Sequence, residues 1–377
     1  MGQMPFVFGH LTDGTEFTNR RQEIDRLLSD FRAGINVTLI SPRRWGKSSL
    51  VRAVARKAAR ADKKMKFCFI DLFSIRSEAQ FYQVLAEEVI KSTSSKFKEW
   101  VAAAKRFIPE AIPRVSFETP VGEFDIGMNW KAVVKSPGQI LDLAEKICED
   151  KGIRLVVCID EFQNISTFED PLGFQKQLRA SWQHHKLTAY CIYGSKRHMM
   201  MEVFASPSMP FYKFGDLVFL DKISTEDWCK FIVKRFADTG KRITDEDAVL
   251  IAELVDRHSY YVQQLAQQVW LRTAKQCTTA IVHDTHDSLM RQMSLLFQEK
   301  TNQLSNSQIN FLEAVLDGVQ QYSAQEVLRQ YELGSSSNVQ VVKKALISKE
   351  VLDFRGRQAE FLDPLYAAWL KKYYFGK

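Results

Sequence analysis

Over the first 222 residues, short apolar runs alternate with stretches in which apolar residues recur every three or four positions. The runs are Val37–Ile40, Phe67–Leu72, Leu155–Ile159, Leu187–Tyr193 and Leu217–Leu220. Runs this short and continuous predict strands buried on both faces, as in a parallel sheet. The stretches between them predict helices. One opens after Thr18 or Asn19 with Ile24, Leu27, Leu28 and Phe31 on its apolar face, and others cover Lys47–Ala61, Ala79–Ile90, Ser136–Asp150 and Gly173–His185. Ser136 followed by Pro137 suits the cap and first position of a helix. This alternation predicts a doubly wound α/β core of five parallel strands. Between about residues 91 and 135 the pattern lapses. There Pro109 is a break, and alternation from Pro113 to Trp130 around Val121-Gly122 predicts a small hairpin inserted into the core.

From Ser224 the spacing is helical. Ser224 and Thr244 are N-cap candidates, the first followed by Trp228, Phe231, Ile232 and Phe236. A third helix spans Ser259–Gln276, which together predicts a helical lid over 223–303. His283-Asp284-Thr285-His286-Asp287 has HxxH spacing with no cysteine or third histidine beside it, so it predicts a helix-capping loop and not a metal site. In 304–377, three apolar-faced helices opened by Ser305 or Ser307, by Ser323 and by Ser335–Ser337 precede Val351–Leu362, a tight hairpin centred on Gly356. Three helices and a wing predict a winged helix-turn-helix. Its third helix would present Asn338, Gln340, Lys343 and Lys344 to DNA, with Arg355 and Arg357 at the wing tip. The organisation expected is a core over 1–222 with its insert, the lid, and the winged helix.

Composition narrows the class. The chain has 377 residues, 45% hydrophobic and 26% charged, which suits a soluble globular protein of two or three domains. No apolar run approaches the roughly 20 residues that span a bilayer. The N-terminus lacks a basic and then apolar signal pattern, and the six cysteines are scattered within apolar runs, which predicts a cytoplasmic protein with reduced thiols and no membrane partner. The net charge of +7 is uneven: Arg43 to Lys66 holds ten basic residues and one acid, Asp62, whereas 304–377 holds nine basic and eight acidic residues. The basic stretch serves nucleotide phosphates in part; the rest is either a solvated helix face or a nucleic-acid surface. The near-neutral winged helix leaves protein contact or oligomerisation open beside DNA binding.

The chemistry centres on Ser41-Pro42-Arg43-Arg44-Trp45-Gly46-Lys47-Ser48-Ser49, between a predicted strand and a predicted helix. Gly46-Lys47-Ser48 completes a P-loop, GxxxxGK[ST], with Ser41 where the first glycine usually stands. Gly46 lets backbone approach phosphate, loop N–H groups and the helix start hold its charge, Lys47 reaches the outer phosphates and Ser48 offers a hydroxyl to Mg²⁺. The run Arg154–Ile159 then delivers Asp160 and Glu161 to a strand end, a Walker B pattern. Asp160 would hold the Mg²⁺ shell and Glu161 would orient and deprotonate water. Ser195, ending the Leu187–Gly194 run, would sense phosphate if that strand lies between the other two.

These motifs, with Phe17-x-x-Arg20-x-x-Glu23-Ile24, IDEFQ at Ile159–Gln163, YGS at Tyr193–Ser195, PFY at Pro210–Tyr212, YYVQQLAQQVW at Tyr260–Trp270 and DPLYAAWL at Asp363–Leu370, resemble the archaeal-type ATPase family, relatives of AAA+ and signal-transduction ATPases. The resemblance spans nearly the whole chain. It implies an ATPase core with lid and winged helix, Phe17 and Arg20 near adenine, Lys47 and Ser48 on phosphates and Mg²⁺, and Asp160 and Glu161 on metal and water. It further implies a switch driven by ATP and ADP, linked to double-stranded DNA, a protein effector or homo-oligomerisation. Two positions depart from the family pattern. Lys213-Phe214-Gly215 stands where a Gly-Arg pair is usual, and Arg257-His258-Ser259 where Gly-His-Pro is frequent. The first bears on a trans-acting arginine and the second on the lid's nucleotide contact, for which Arg197 or Arg257 could substitute. Two other readings stay open: a DNA-binding regulator with a structural nucleotide pocket, and a protein-interaction adaptor.

Overall fold

The structure, a computed structural model, describes residues 4–9, 20–94, 97–107, 111–116, 123–128 and 137–377. It falls into two compact units. One comprises Arg20–Arg43 and Lys47–Asp221; the other comprises Met1–Asn19, Arg44–Gly46 and Lys222–Lys377. We call them the sheet unit and the helical unit.

The sheet unit runs α1 (Arg21–Arg32), β1 (Val37–Ile40), α2 (Lys47–Ala61), β2 (Met65–Asp71), α3 (Glu78–Thr93), α4 (Phe97–Phe107), β3 (Ala111–Ser116), β4 (Glu123–Met128), α5 (Pro137–Leu141), α6 (Leu143–Lys151), β5 (Arg154–Asp160), α7 (Pro171–Trp182), β6 (Thr188–Gly194), α8 (Arg197–Ala205) and β7 (Asp216–Phe219). Five strands form one sheet in the order β2-β5-β6-β1-β7, every pair parallel. β1 and β6 are buried at every position, and β5 from Leu155 to Ile159, as their continuous apolar sequences require. Helices flanking the sheet complete a core that includes Phe81, Phe174, Trp182 and Tyr190, each such side chain worth about 1.5–3 kcal/mol on burial. Register aligns Ile159 with Ile192 and Ile40 with Gly194, so Asp160, Ser195 and Ser41 reach the same carboxyl edge of the sheet. Ligands bind at that edge in open α/β sheets.

The expected hairpin is present as β3 paired antiparallel to β4; its Val121-Gly122 turn lies outside the described residues. So do Thr18, Asn19 and Ser136. The single helix expected over 136–150 is two, α5 and α6, parted at Asp142, and α4 was not anticipated.

The helical unit contains α9 (Thr225–Asp238), α10 (Asp245–Leu254), α11 (Ser259–Arg272), α12 (Thr279–Asn302), α13 (Asn306–Leu316), α14 (Gln325–Gln330), α15 (Ser336–Ser348), β8 (Leu352–Arg355), β9 (Gln358–Phe361) and α16 (Pro364–Trp369). Ser224, Thr244, Thr278, Ser305 and Ser335 cap their helices through side-chain oxygens, with a full capping box at Ser305 and Gln308. Residues 283–287 are a correction: they lie inside the 24-residue α12 and form no loop. One apolar core joins Phe6, Trp228, Phe236 and Leu265 to Phe311, Leu346 and Trp369, so the lid helices and the winged helix share one interior. Gly356 makes the wing turn with φ of 64°.

Candidate nucleotide site

Within the sheet unit the polar residues at the carboxyl edge are bonded to one another. Ser48 Oγ donates to Asp160 Oδ2 at 2.6 Å, and Lys47 Nζ reaches Glu161 Oε1 at 3.3 Å. Ser195 Oγ donates to Glu161 Oε2 at 2.8 Å and accepts from Arg43 Nε at 3.4 Å. β6 does lie between β5 and β1, which is what brings Ser195 to the pair. Lys47 is buried at the first turn of α2, with Ser49 buried beside it.

The two adjacent carboxyls differ. Burial pushes Asp160 above its ordinary range, and the Lys47 ammonium and the Ser48 hydroxyl only partly offset this. Burial acts on Glu161 in the same sense, but Lys47 and hydrogen bonds from Gln163 and Ser195 overcome it, and its carboxyl is held below the ordinary range. Asp160 is thus a half-buried, under-neutralised carboxylate beside a hydroxyl, a donor set that fits Mg²⁺. Glu161 is a carboxylate with its charge secured and held by three donors.

Gln163 is a site residue that motif reading did not assign, although IDEFQ contains it. It is buried, and its Nε2 donates to Glu161 Oε2 at 2.5 Å. The amide lies against Gly194, where a Cβ would stand 2.2 Å from Gln163 Oε1 and 2.6 Å from Met200 Sδ. Glycine at 194 is therefore a packing requirement. Glu161 also holds φ of 51°, uncommon for a residue with a side chain.

The other expected nucleotide contacts are placed as follows. Ser41 needs no left-handed backbone, since positive φ falls instead on Arg44 (64°) and Gly46 (92°). Its buried Oγ donates to the Pro42 carbonyl at 3.1 Å. Arg20, buried with φ of 80°, pairs with Glu23 at 2.8 Å, while its Nη2 has no partner among the described residues. Phe17 lies outside the described residues.

The apex of the loop, Arg44–Gly46, belongs by its contacts to the helical unit. There the Arg44 guanidinium stacks over Tyr260 at 4.7 Å, and Ser259 Oγ donates to the Trp45 carbonyl at 3.5 Å. The buried Trp45 ring faces two cations, Lys222 Nζ at 5.6 Å and the Arg355 guanidinium at 5.8 Å. Lys222 in turn pairs with Asp256 and Glu360, and Arg355 lies 3.8 Å from Glu360. Arg355, expected to reach out from the wing, thus contacts the loop tryptophan.

On α15, Asn338 Nδ2 donates to the Leu333 carbonyl at 2.9 Å, and Lys343 Nζ lies over Tyr322 at 4.8 Å and Phe354 at 5.2 Å. Gln340, Lys344 and Arg357 are exposed, as is Val341 at 65%. Of the two substitute arginines, Arg197 stacks over Phe219 at 5.2 Å in the sheet unit. Arg257, with φ of 54°, has a buried Nε without a hydrogen bond among the described residues and lies 4.0 Å from Glu253. Among the described residues no cluster of histidine, cysteine and acid could hold a metal alone, and no helix is long and apolar enough to cross a membrane.

Residues 295–372 match a family model described as a probable winged helix domain. Comparison with curated protein sequences gave no match. Among solved structures, the chain is similar to the Walker-type ATPase PABY2304 of Pyrococcus abyssi at 15% identity, covering 98% of this chain and 100% of that one with a TM-score of 0.68. It is also similar to the ORC2 protein of Aeropyrum pernix in its ADPNP–ADP complexes, at 12% identity, 97% and 96% coverage and a TM-score of 0.57. The chain has the P-loop ATPase fold, a five-stranded parallel core followed by a C-terminal winged helix, as the resemblance to archaeal-type ATPases implied.

Proposed function

We propose that the chain binds ATP and ADP with Mg²⁺, hydrolyses ATP, and uses the nucleotide as a switch coupled to DNA binding or self-association. The observation that carries this is the joined set Lys47–Glu161, Ser48–Asp160 and Ser195–Glu161 at one sheet edge. Lys47 and Ser48, the P-loop cation and hydroxyl, thus stand within bonding distance of the two carboxylates, so the groups that would bind phosphate and metal share one place. Mg²⁺, when bound, neutralises phosphate charge. Ser48 and Asp160 would hold it; Lys47 and the loop amides would bind phosphates; Pro42 to Ser49 and Arg20 would line the nucleotide. Glu161, ionised and aimed by Gln163 and Ser195, is the base that would take a proton from the attacking water. In this reading 1–222 is the ATPase core, 223–303 the lid and 304–377 the winged helix, in a cytoplasmic protein.

A second reading, that the winged helix docks on a protein effector, is supported by α15. Its exposed face carries Val341 near its centre, and Lys343 is turned onto aromatic rings.

Steady-state ATP turnover with and without duplex DNA, with Glu161→Gln as control, tests both. Loss of about 10²–10⁴-fold in the variant is the magnitude of a general base. A further rise with DNA in the wild type supports the DNA-linked switch; indifference to DNA favours the protein effector. Absence of turnover in the wild type removes the hydrolase.

A further inference from the structure

The chain carries 52 basic and 45 acidic residues, and ten of the basic with one of the acidic lie between Arg43 and Lys66. Elsewhere 42 basic residues face 44 acidic ones. The whole positive excess therefore sits on the P-loop, α2, the turn after it and the start of β2. From this surface we infer a docking site for the phosphate backbone of duplex DNA, on the sheet unit and apart from the winged helix.

α2 buries Leu50, Val51, Val54 and Ala58, which turns Arg52 and Arg60 outward, and Lys63, Lys64 and Lys66 continue the exposed basic run. Lys57 is held by Asp25 of α1 and is not counted. Asp62, the single acid, accepts from the backbone amide of Lys64 at 2.8 Å. Among the described residues, no acid pairs with Arg60, Lys63, Lys64 or Lys66. Positions 52 and 60 are about 12 Å apart along the axis and about 80° apart round it, so the cations form a band along one side of the helix. At one end the Arg52 guanidinium lies over the Phe69 ring at 4.6 Å, and Phe69 stacks on Phe67 at 6.5 Å and 21°. β2 is the edge strand of its sheet, so the band lies along an outer border of that unit.

A solvated helix face usually mixes signs more evenly; this one sets Arg52, Arg60, Lys63, Lys64 and Lys66 against the single acid Asp62 and includes two arginines, the side chain suited to bidentate phosphate contact. A band of cations complements a line of phosphates, which is why DNA is favoured over an anionic membrane surface. The inference rests on the DNA-linked form of the proposed switch but not on hydrolysis.

The test is fluorescence anisotropy of a labelled duplex across a KCl series. It compares wild type, Arg60→Glu/Lys63→Glu/Lys64→Glu, the milder Arg60→Ala/Lys63→Ala/Lys64→Ala, and Lys344→Glu/Arg357→Glu on the winged helix. Three lost phosphate contacts should lower the slope of log K against log salt by about 2.7 and weaken binding roughly 10²-fold or more near 0.1 M salt. The alanine variant should show the same slope change, with ATP turnover and melting temperature as in the wild type to show that the fold is intact. Wild-type affinity and slope in both α2 variants overturn the inference, as does loss confined to the winged-helix variant. So does α2-dependent binding of phosphatidylserine vesicles without α2-dependent binding of DNA. Wild-type chain that turns over ATP but binds no duplex sinks this site and leaves the ATPase reading standing. Chain that binds duplex through α2 but turns over no ATP does the reverse.

Discussion

The two units handle charge in opposite ways. The sheet unit gathers the net positive charge of the chain and sets charged side chains against polar partners at its site, with Lys47 on Glu161, Ser48 on Asp160 and Arg43 on Ser195. The helical unit is nearly neutral, with twenty basic and nineteen acidic residues between Lys222 and Lys377, and it spends its cations on aromatic rings. It also buries imidazoles in uncharged form. A winged helix is thus compatible with an electrostatic surface located elsewhere in the same chain. Fold labels do not locate charge.

The difference is sharpest in acid. Burial lowers His258 from an ordinary 6.5 to about 4, with Asp363 opposing and Arg44 and Lys222 reinforcing. His286 is lowered to about 4 by burial, with Asp287 opposing and His283 and Lys372 reinforcing. The unfolded chain then binds these protons more readily than the folded one. The stability they contribute is complete above about pH 6.5 and is lost as pH falls toward 4, about 3 kcal/mol for each imidazole. Melting curves from pH 7 to pH 4.5 should fall steeply for the wild type and less steeply for His258→Gln and His286→Gln. Equal slopes in all three would mean that the helical unit's acid sensitivity does not come from its imidazoles.

A second break is internal to the sheet unit. Gly194→Ala puts a methyl group where Gln163 and Met200 already are, an overpacking cost of about 1–3 kcal/mol. Because Gln163 holds Glu161, ATP turnover should fall more than melting temperature alone explains, and Gln163→Ala in the same background should restore stability without restoring turnover. Recovery of both would show that Gln163 only fills space.

Much of this was legible in the sequence for physical reasons. β1, β5 and β6 are continuous apolar runs because both of their faces are buried, and Ser224, Thr244, Thr278, Ser305 and Ser335 are caps whose oxygens find N3 amides, whereas Ser323 does not cap α14, whose N-cap is Ala324. α12 was missed because its buried positions, Val282, Leu289, Met290 and Phe297, are sparse over 24 residues, while its start is dense in histidine and acid. Lys343, expected among the DNA-facing residues of the third helix, lies over the Tyr322 and Phe354 rings, a placement its spacing could have suggested. It stands four residues after Val339 and three before Leu346, on the stripe that α15 buries. The role of Gln163 could not be read, since it depends on a side-chain bond to Glu161 across the left-handed backbone there, with the amide packed against a glycine 31 positions away.

Lys343 supplies the third test. Replacing it with alanine removes a cation and an aliphatic stem from Tyr322 and Phe354, worth about 1 kcal/mol where half-exposed. The melting temperature should drop while DNA affinity and salt slope stay as they were; Lys344→Ala should leave the melting temperature alone. A change of salt slope in Lys343→Ala would return that residue to the nucleic-acid surface and weaken the contrast between the units.

The smallest effect tests the one place where the P-loop itself belongs to the helical unit. Arg355 and Lys222 both face the Trp45 ring, but Arg355 is 42% exposed in its side chain, so solvent screens much of the attraction. A double-mutant cycle of Trp45→Leu with Arg355→Ala, read by denaturant unfolding, should give a coupling of about 0.5–1 kcal/mol. Trp45 stands two residues before Lys47 in the chain, so the same Arg355→Ala variant should shift ATP affinity by a factor of about two to five, the span that this coupling permits. Coupling in stability with unchanged affinity would make the wing contact a structural prop for the loop. Zero coupling would leave Ser259 and Tyr260 as the groups that hold the apex, and the wing would then have no line to the nucleotide through Trp45.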